Sequence, residues 1–110
     1  MNHILEDIYK RLAFEHETYI PEYLFSKDYL GRNRSYFSYL KSSGKSVSAS
    51  SLIFLWTKLN TQKNVFQDAY NRAVKNGEKS SWRTLAMQER YELYQDLSDR
   101  AYQAITTYHQ

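Results

Sequence analysis

A chain of 110 residues with a formal charge of +3, no cysteine, one proline and three glycines carries one domain's worth of sequence, long enough to bury a modest core. The absence of cysteine excludes a disulfide framework, a zinc–thiolate site and a thiol nucleophile. The longest apolar run, Leu52 to Trp56, is too short to span a bilayer. The acidic, helix-periodic N-terminus does not read as a secretory signal, so no membrane partner is expected and the cytoplasm is the expected location.

Alternating patterns are scarce and breakers few, which predicts an all-α fold: a compact helical domain of about six helices. In α-helical spacing, Ile4, Leu5, Ile8, Tyr9 and Leu12 form one face of a first helix over His3–Phe14, with Asn2 as its cap. A second helix starts near Pro21, in a first turn where a missing N–H is harmless. It stops at Gly31, the residue type that accepts a left-handed turn. Asn33 caps a third helix, Arg34–Lys41, with Phe37 and Leu40 on its inner side, and Ser42–Ser46 reads as a loop. Ser48 caps a fourth helix reaching Leu59, whose stripe is Leu52, Leu55, Trp56 and Leu59. Asn60-Thr61 is read as a break that caps a fifth helix to about Lys75, with Val65, Phe66, Ala69, Tyr70 and Ala73 inward, and Asn76-Gly77 stops it. A long sixth helix runs from about Ser81 to Tyr108. Its stripe is Ala86, Leu93, Leu97, Ala101, Ala104 and Tyr108, thickened by Tyr94 and Ile105, long enough to cover the core and to meet a symmetry mate. The eleven tyrosines suit the edges of a small core, ring buried and hydroxyl wet.

Charge is unevenly spread. Residues 1–26 balance to −3, whereas residues 27–45 carry Lys27, Arg32, Arg34, Lys41 and Lys45 against Asp28 alone, a balance of +4. A phosphate-facing surface needs this kind of concentration. It coincides with two short helices joined by a glycine turn, the pattern of a helix-turn-helix. The turn needs positive φ (Gly31), the second helix a cap (Asn33), its inner side apolar residues (Phe37, Leu40), and its outer N-terminal side polar groups for base edges.

The run Leu30-Gly31-Arg32-Asn33-Arg34-Ser35-Tyr36-Phe37-Ser38-Tyr39-Leu40 resembles the turn and recognition helix of lambda-repressor-like, XRE-type DNA-binding domains. Gly44-Lys45 and Ser48–Leu59 resemble that family's following loop and helix, so the resemblance covers roughly residues 3–60. Poorly characterised families of small phage or bacterial proteins share the motif and are a second group this chain resembles. Where the family has a small residue four positions before the turn glycine, this chain has Lys27. Either its stem snorkels outward or Ser26 takes the close contact through a shifted register.

The resemblance implies double-stranded DNA as partner, with Arg34 and Ser35 opening the base-reading helix and Ser38 and Tyr39 one turn on. Asn33 stands at the start of that helix, and Arg32, Lys41 and Lys45 suit phosphates, which position without specifying. The expected function is a sequence-specific transcriptional regulator, with repression the expected mode, acting as a homodimer because one short helix reads few bases. Residues 1–60 would form the DNA-binding region and 61–110 a helical hairpin that packs on it and offers a dimerisation face, all within a single domain. The alternative is a helix-turn-helix-shaped adaptor with a protein partner and no DNA binding, anchored by Tyr36 and Tyr39. Enzyme activity is not expected. Glu15-His16-Glu17 is not HExxH, since Ile20 follows His16 by four, while His3 and His109 lie at the chain ends. No phosphate-cradling glycine loop or nucleophile elbow occurs, and no metal or cofactor is called for.

Overall fold

The computed structural model describes residues 2–15, 19–78 and 81–108, and all of its regular elements are helical. In chain order they are α1 (Asn2–Glu15), α2 (Glu22–Leu24) running directly into a π-helical turn (Phe25–Tyr29), α3 (Tyr36–Ser43), α4 (Ala49–Lys75) and α5 (Trp82–Tyr108). Helices α4 and α5, of 27 residues each, form an antiparallel hairpin. Its direction is set by three ring pairs that run in opposite order along the two helices: Trp56–Tyr102, Phe66–Tyr94 and Tyr70–Tyr91. Each helix is about 40 Å long at 1.5 Å per residue, and the molecule measures 51 × 29 × 18 Å.

Helices α1 to α3 gather at the end of the hairpin where α4 begins and α5 finishes, making a head from which the rest of the hairpin projects as an arm. The apolar core lies in the head. Leu5, Ile8, Tyr9, Leu12 and Ala13 of α1 meet Phe25, Tyr29 and Leu30, then Phe37 and Leu40 of α3, Leu52, Leu55 and Leu59 of α4, and Tyr94, Leu97, Ala101 and Ala104 of α5. No member of this cluster falls between residues 60 and 93. On the outside of the head, Arg11 binds Asp96, and Arg100 binds both Asp7 and Asp96, a ladder of ion pairs tying α1 to α5.

The helix starts and stops follow local chemistry. Ser48 Oγ accepts the Ser51 N–H (3.2 Å) and starts α4, and Ser81 Oγ does the same for Thr84 N–H (3.2 Å) at α5. Both are ordinary N-caps. Gly44 and Gly77, at φ +70° and +83°, end α3 and α4.

Three expectations are corrected here. First, α4 does not break at Asn60-Thr61, so the described residues form five α-helices, and position 60/61 lies inside one of them. Asn and Thr cost only a few tenths of a kcal/mol against better helix formers, less than the packing along α5 returns. The threonine hydroxyls also bond within the helix, Thr57 Oγ1 to Ile53 O and Thr61 Oγ1 to Thr57 O, both 2.9 Å. Second, Val65 is 60 % exposed rather than inward, while Phe66, Ala69 and Tyr70 are half-buried and Ala73 is buried. Third, the stripe of α5 is centred on Tyr94, Leu97, Ala101 and Ala104, with Ala86, Leu93 and Ile105 only half-buried, and it packs inside its own chain. The cap assigned to the side chain of Asn2 and the place given to Tyr108 in the stripe lie outside the described residues.

The corner between α2 and α3 has its own geometry. Pro21 is the cap residue of α2, its carbonyl accepting from Leu24 and Phe25 N–H at 3.1 Å. Beyond it Leu30 N–H reaches Phe25 O (3.0 Å), one residue more than an α-helical bond spans, and Arg32 N–H closes the turn on Ser26 O (2.9 Å), six residues back. The surplus residue shifts the register. Ser26 is fully buried, and its Oγ accepts the Phe37 N–H at 3.0 Å, satisfying a donor at the start of α3. Lys27 is exposed. Of the two alternatives open in the sequence, Ser26 takes the close contact. Gly31, at φ +65°, completes the turn, and a Cβ there would stand 2.9 Å from the Phe54 ring.

Candidate nucleic-acid interface

The basic segment lies along the turn after Gly31, the outer side of α3 and the loop beyond it. Arg32, Asn33, Arg34, Ser35, Ser38, Tyr39, Lys41 and Lys45 are all exposed, while Phe37 and Leu40 hold α3 to the core. Asn33 shapes the front of this surface. Its Oδ1 accepts from Ser35 N–H (3.2 Å) and Ser35 Oγ (3.0 Å), and its carbonyl accepts Tyr36 N–H (3.1 Å). This side-chain turn holds Arg34 and Ser35 out of the regular helix. The third helix is therefore Tyr36–Ser43 rather than Arg34–Lys41, and Arg34 and Ser35 precede it instead of opening it.

Each cation has a local partner. Arg32 donates from Nε to Ser51 Oγ (2.8 Å) and from Nη2 to Ser48 Oγ (2.7 Å) and Ser50 Oγ (3.0 Å). Its guanidinium also lies 5.3 Å from the Tyr36 ring centre. Nη1 takes no part in the three serine bonds. Arg32 thus sits at the positive end of the long α4 dipole, a placement that raises the local potential and favours an anion. Arg34 stands over Tyr23 at 5.4 Å, a contact worth only about 0.5–1 kcal/mol at an exposed site. Lys41 pairs with Glu22 (2.6 Å) and lies over Phe37, and Lys45 lies 5.8 Å from the Tyr39 ring. Exposed pairs of this kind are worth about 0–1 kcal/mol and yield readily to a stronger ligand.

Tyr36 is half-buried rather than free. Its hydroxyl accepts the Ser48 N–H at 3.1 Å. Burial alone would raise its pKa, but the Ser48 and Ser51 hydrogen bonds and the Arg32 charge outweigh burial and lower it. Tyr39 is the solvent-facing tyrosine of α3. Beside Lys41 a cavity of about 220 Å³ opens between α1 and α3, floored by Tyr9 and Phe37. Glu6 and Glu22 balance Lys10 and Lys41 at its mouth, so it does not extend the basic surface. His16, Glu17 and His109 lie outside the described residues, as does the Glu15 side chain.

Sequence reasoning missed the groups that hold these cations: Ser48, Ser50 and Ser51 under Arg32, Tyr23 under Arg34, and Glu22 against Lys41. The run Ser48-Ala49-Ser50-Ser51 was the visible signal for the first. The rest depend on how α2 crosses α3.

The fold defines an all-helical protein in which a short two-helix corner is mounted on a long helical hairpin. The model of DUF6626, a family of unknown function, matches residues 5–106, and the chain belongs to that family. Neither curated proteins nor solved structures contain a match to it.

Proposed function

We propose that this protein binds duplex DNA through Arg32–Lys45 and acts as a sequence-reading transcriptional regulator, working as a pair of copies. The observation that carries the reading is the outer side of the α2–α3 corner: eight polar, basic or aromatic residues exposed on one short stretch, within a segment of net charge +4. The lambda-repressor-like resemblance of Leu30–Leu40 supports it. In this reading Arg34 leaves Tyr23 to reach a base edge, where a bidentate contact to guanine is worth about 1–3 kcal/mol of discrimination. Arg32 offers Nη1 to a phosphate while the serines hold its other edge, and Lys41 and Lys45 add phosphate contacts.

The test is selection from random duplex DNA at low and high salt. Recovery of an inverted repeat with half-sites about one helical turn apart, lost steeply as salt rises, is the expected outcome. Arg34→Ala should relax the preference at one base position and leave the helical spectrum unchanged. If no DNA is retained even at low salt, the reading fails. Tyr39, 47 % exposed on α3, is then the natural anchor for a protein partner.

A further inference from the structure

We infer that the cavity between α1 and α3 binds a small organic amine, a primary ammonium on a short chain that ends in a ring, with the ammonium seated on Glu22. The cavity measures about 220 Å³, below the roughly 300–1,000 Å³ of sites for drug-sized molecules, which suits one ring and a short chain. Its floor is aromatic. Tyr9 and Phe37 are 6 % and 1 % exposed, with ring centres 5.0 Å apart. The Tyr9 hydroxyl donates to Ile20 O at 2.9 Å, so its proton is already committed and the residue serves the cavity as a ring. Phe14 and Tyr19 also line the cavity, their ring centres 5.7 Å apart, and both are exposed. A ring seated there would cover apolar surface that these two leave in water.

The charge of the occupant follows from what the chain itself places at the mouth. The Lys41 ammonium donates to Glu22 Oε2 at 2.6 Å and lies 5.2 Å from the centre of the Phe37 ring. One primary ammonium is thus already held between a carboxylate and an aromatic face, the two groups that recognise such a cation. The hold is weak. Both side chains of the pair are more than a third exposed, and exposed pairs contribute little. A ligand ammonium can make the same two contacts, and its ring adds burial that the lysine chain does not. When Lys41 swings out, the charges left in the lining are Glu6, Glu22 and Lys10, a balance of −1 that complements a monocation. A carboxylate in the same place would face Glu6 and Glu22.

Lys41 is one of the cations given to phosphates in the DNA reading, so its displacement would link amine and duplex. The amine site does not rest on that reading and is tested without DNA, so each fails separately.

The experiment is titration of the full chain with phenethylamine near neutral pH, followed by amide NMR, whose spectrum also checks the fold of each variant. The wild type is expected to saturate with a dissociation constant of about 1 mM or below, the range open to a ligand of this size. Phenylpropionate, which carries a ring of the same kind and the opposite charge, should bind at least about tenfold more weakly. Glu22→Gln should weaken the amine at least about tenfold. Lys41→Gln removes the internal competitor and should tighten the amine about three- to fivefold, an effect that a merely structural lysine would not produce. Phe14→Ala, at an exposed position, should weaken it about threefold. Failure to saturate by about 10 mM overturns the inference. So does equal affinity for the carboxylate, or a Lys41→Gln variant that binds the amine no more tightly than the wild type.

Discussion

The two halves of the hairpin use the same pair of helices and are held together differently. In the head, α4 and α5 share a core with three other helices, and Leu52, Leu55, Leu59, Leu97, Ala101 and Ala104 are each essentially sealed from water. Ala101, Ala104 and the buried Ser98 let α5 approach closely. In the arm, only Ala73 and Thr84 are buried among the described residues, and the helices meet through rings: the half-buried Tyr70 against Tyr91 at 5.4 Å, and the half-buried Phe66, with Arg90 over it, stacked at 5.5 Å on Tyr94, whose own ring is buried at the edge of the head. A continuous helix therefore passes from a region stabilised by burial to one stabilised by ring contacts, and its two ends need not open together.

Three measurements would break or sharpen that contrast. The largest effect is expected from Leu55→Ala. It removes a fully buried side chain from the head and should cost about 3–4 kcal/mol in denaturant unfolding, enough to threaten a domain whose whole stability is of order 5–15 kcal/mol. A loss under 1 kcal/mol would mean that the head is not the cooperative centre. Phe66→Ala should cost about 1–2 kcal/mol, less than a core phenylalanine, since the ring is only partly buried. Its signature is local: faster amide exchange between residues 62 and 92, with protection in α1 and at Leu55 unchanged. Equal loss of protection in both halves would show that head and arm unfold as one unit. The smallest effect is acid titration of the ladder between α1 and α5. A hydrogen bond from Arg11 holds the Asp96 carboxyl below its ordinary value of 3.8. Its contribution is complete above that value and drains away as pH falls further. Because the Asp96 side chain is half-exposed, the loss should be under about 1 kcal/mol, and Asp96→Asn should flatten the dependence of stability on pH below 4.

The sequence carried the contrast unevenly. Helix α1, the turn at Gly31, the stop at Asn76-Gly77, the Ser48 cap and the span of α5 were legible, because each rests on local chemistry: an apolar stripe, a positive φ, a hydroxyl beside free N–H groups. What stayed hidden depends on distant partners. Asn60-Thr61 has the composition of a cap, yet α5 packs along both sides of it and the threonines bond inside the helix. Val65 falls on the stripe by spacing, but it points away from α5 in the arm, where there is no third layer to bury it. In the basic segment the exposed residues were readable from composition. The exclusion of Arg34 and Ser35 from α3 was not, because it depends on which group the Asn33 side chain bonds. Nor was the pinning of Arg32 to three serines sixteen to nineteen residues away.

The π turn at Phe25–Tyr29 has a consequence for descent. The corner contains one residue more than an α-helical turn needs, and the surplus is absorbed where Lys27 bulges into solvent. Removing Lys27 would bring Ser26 to the fourth place before Gly31, and the bonds between Phe25 and Leu30 could close at ordinary α-helical span with the same serine under α3. The corner is therefore a single codon from one with ordinary α-helical spacing, a length change that would leave the contact it surrounds in place.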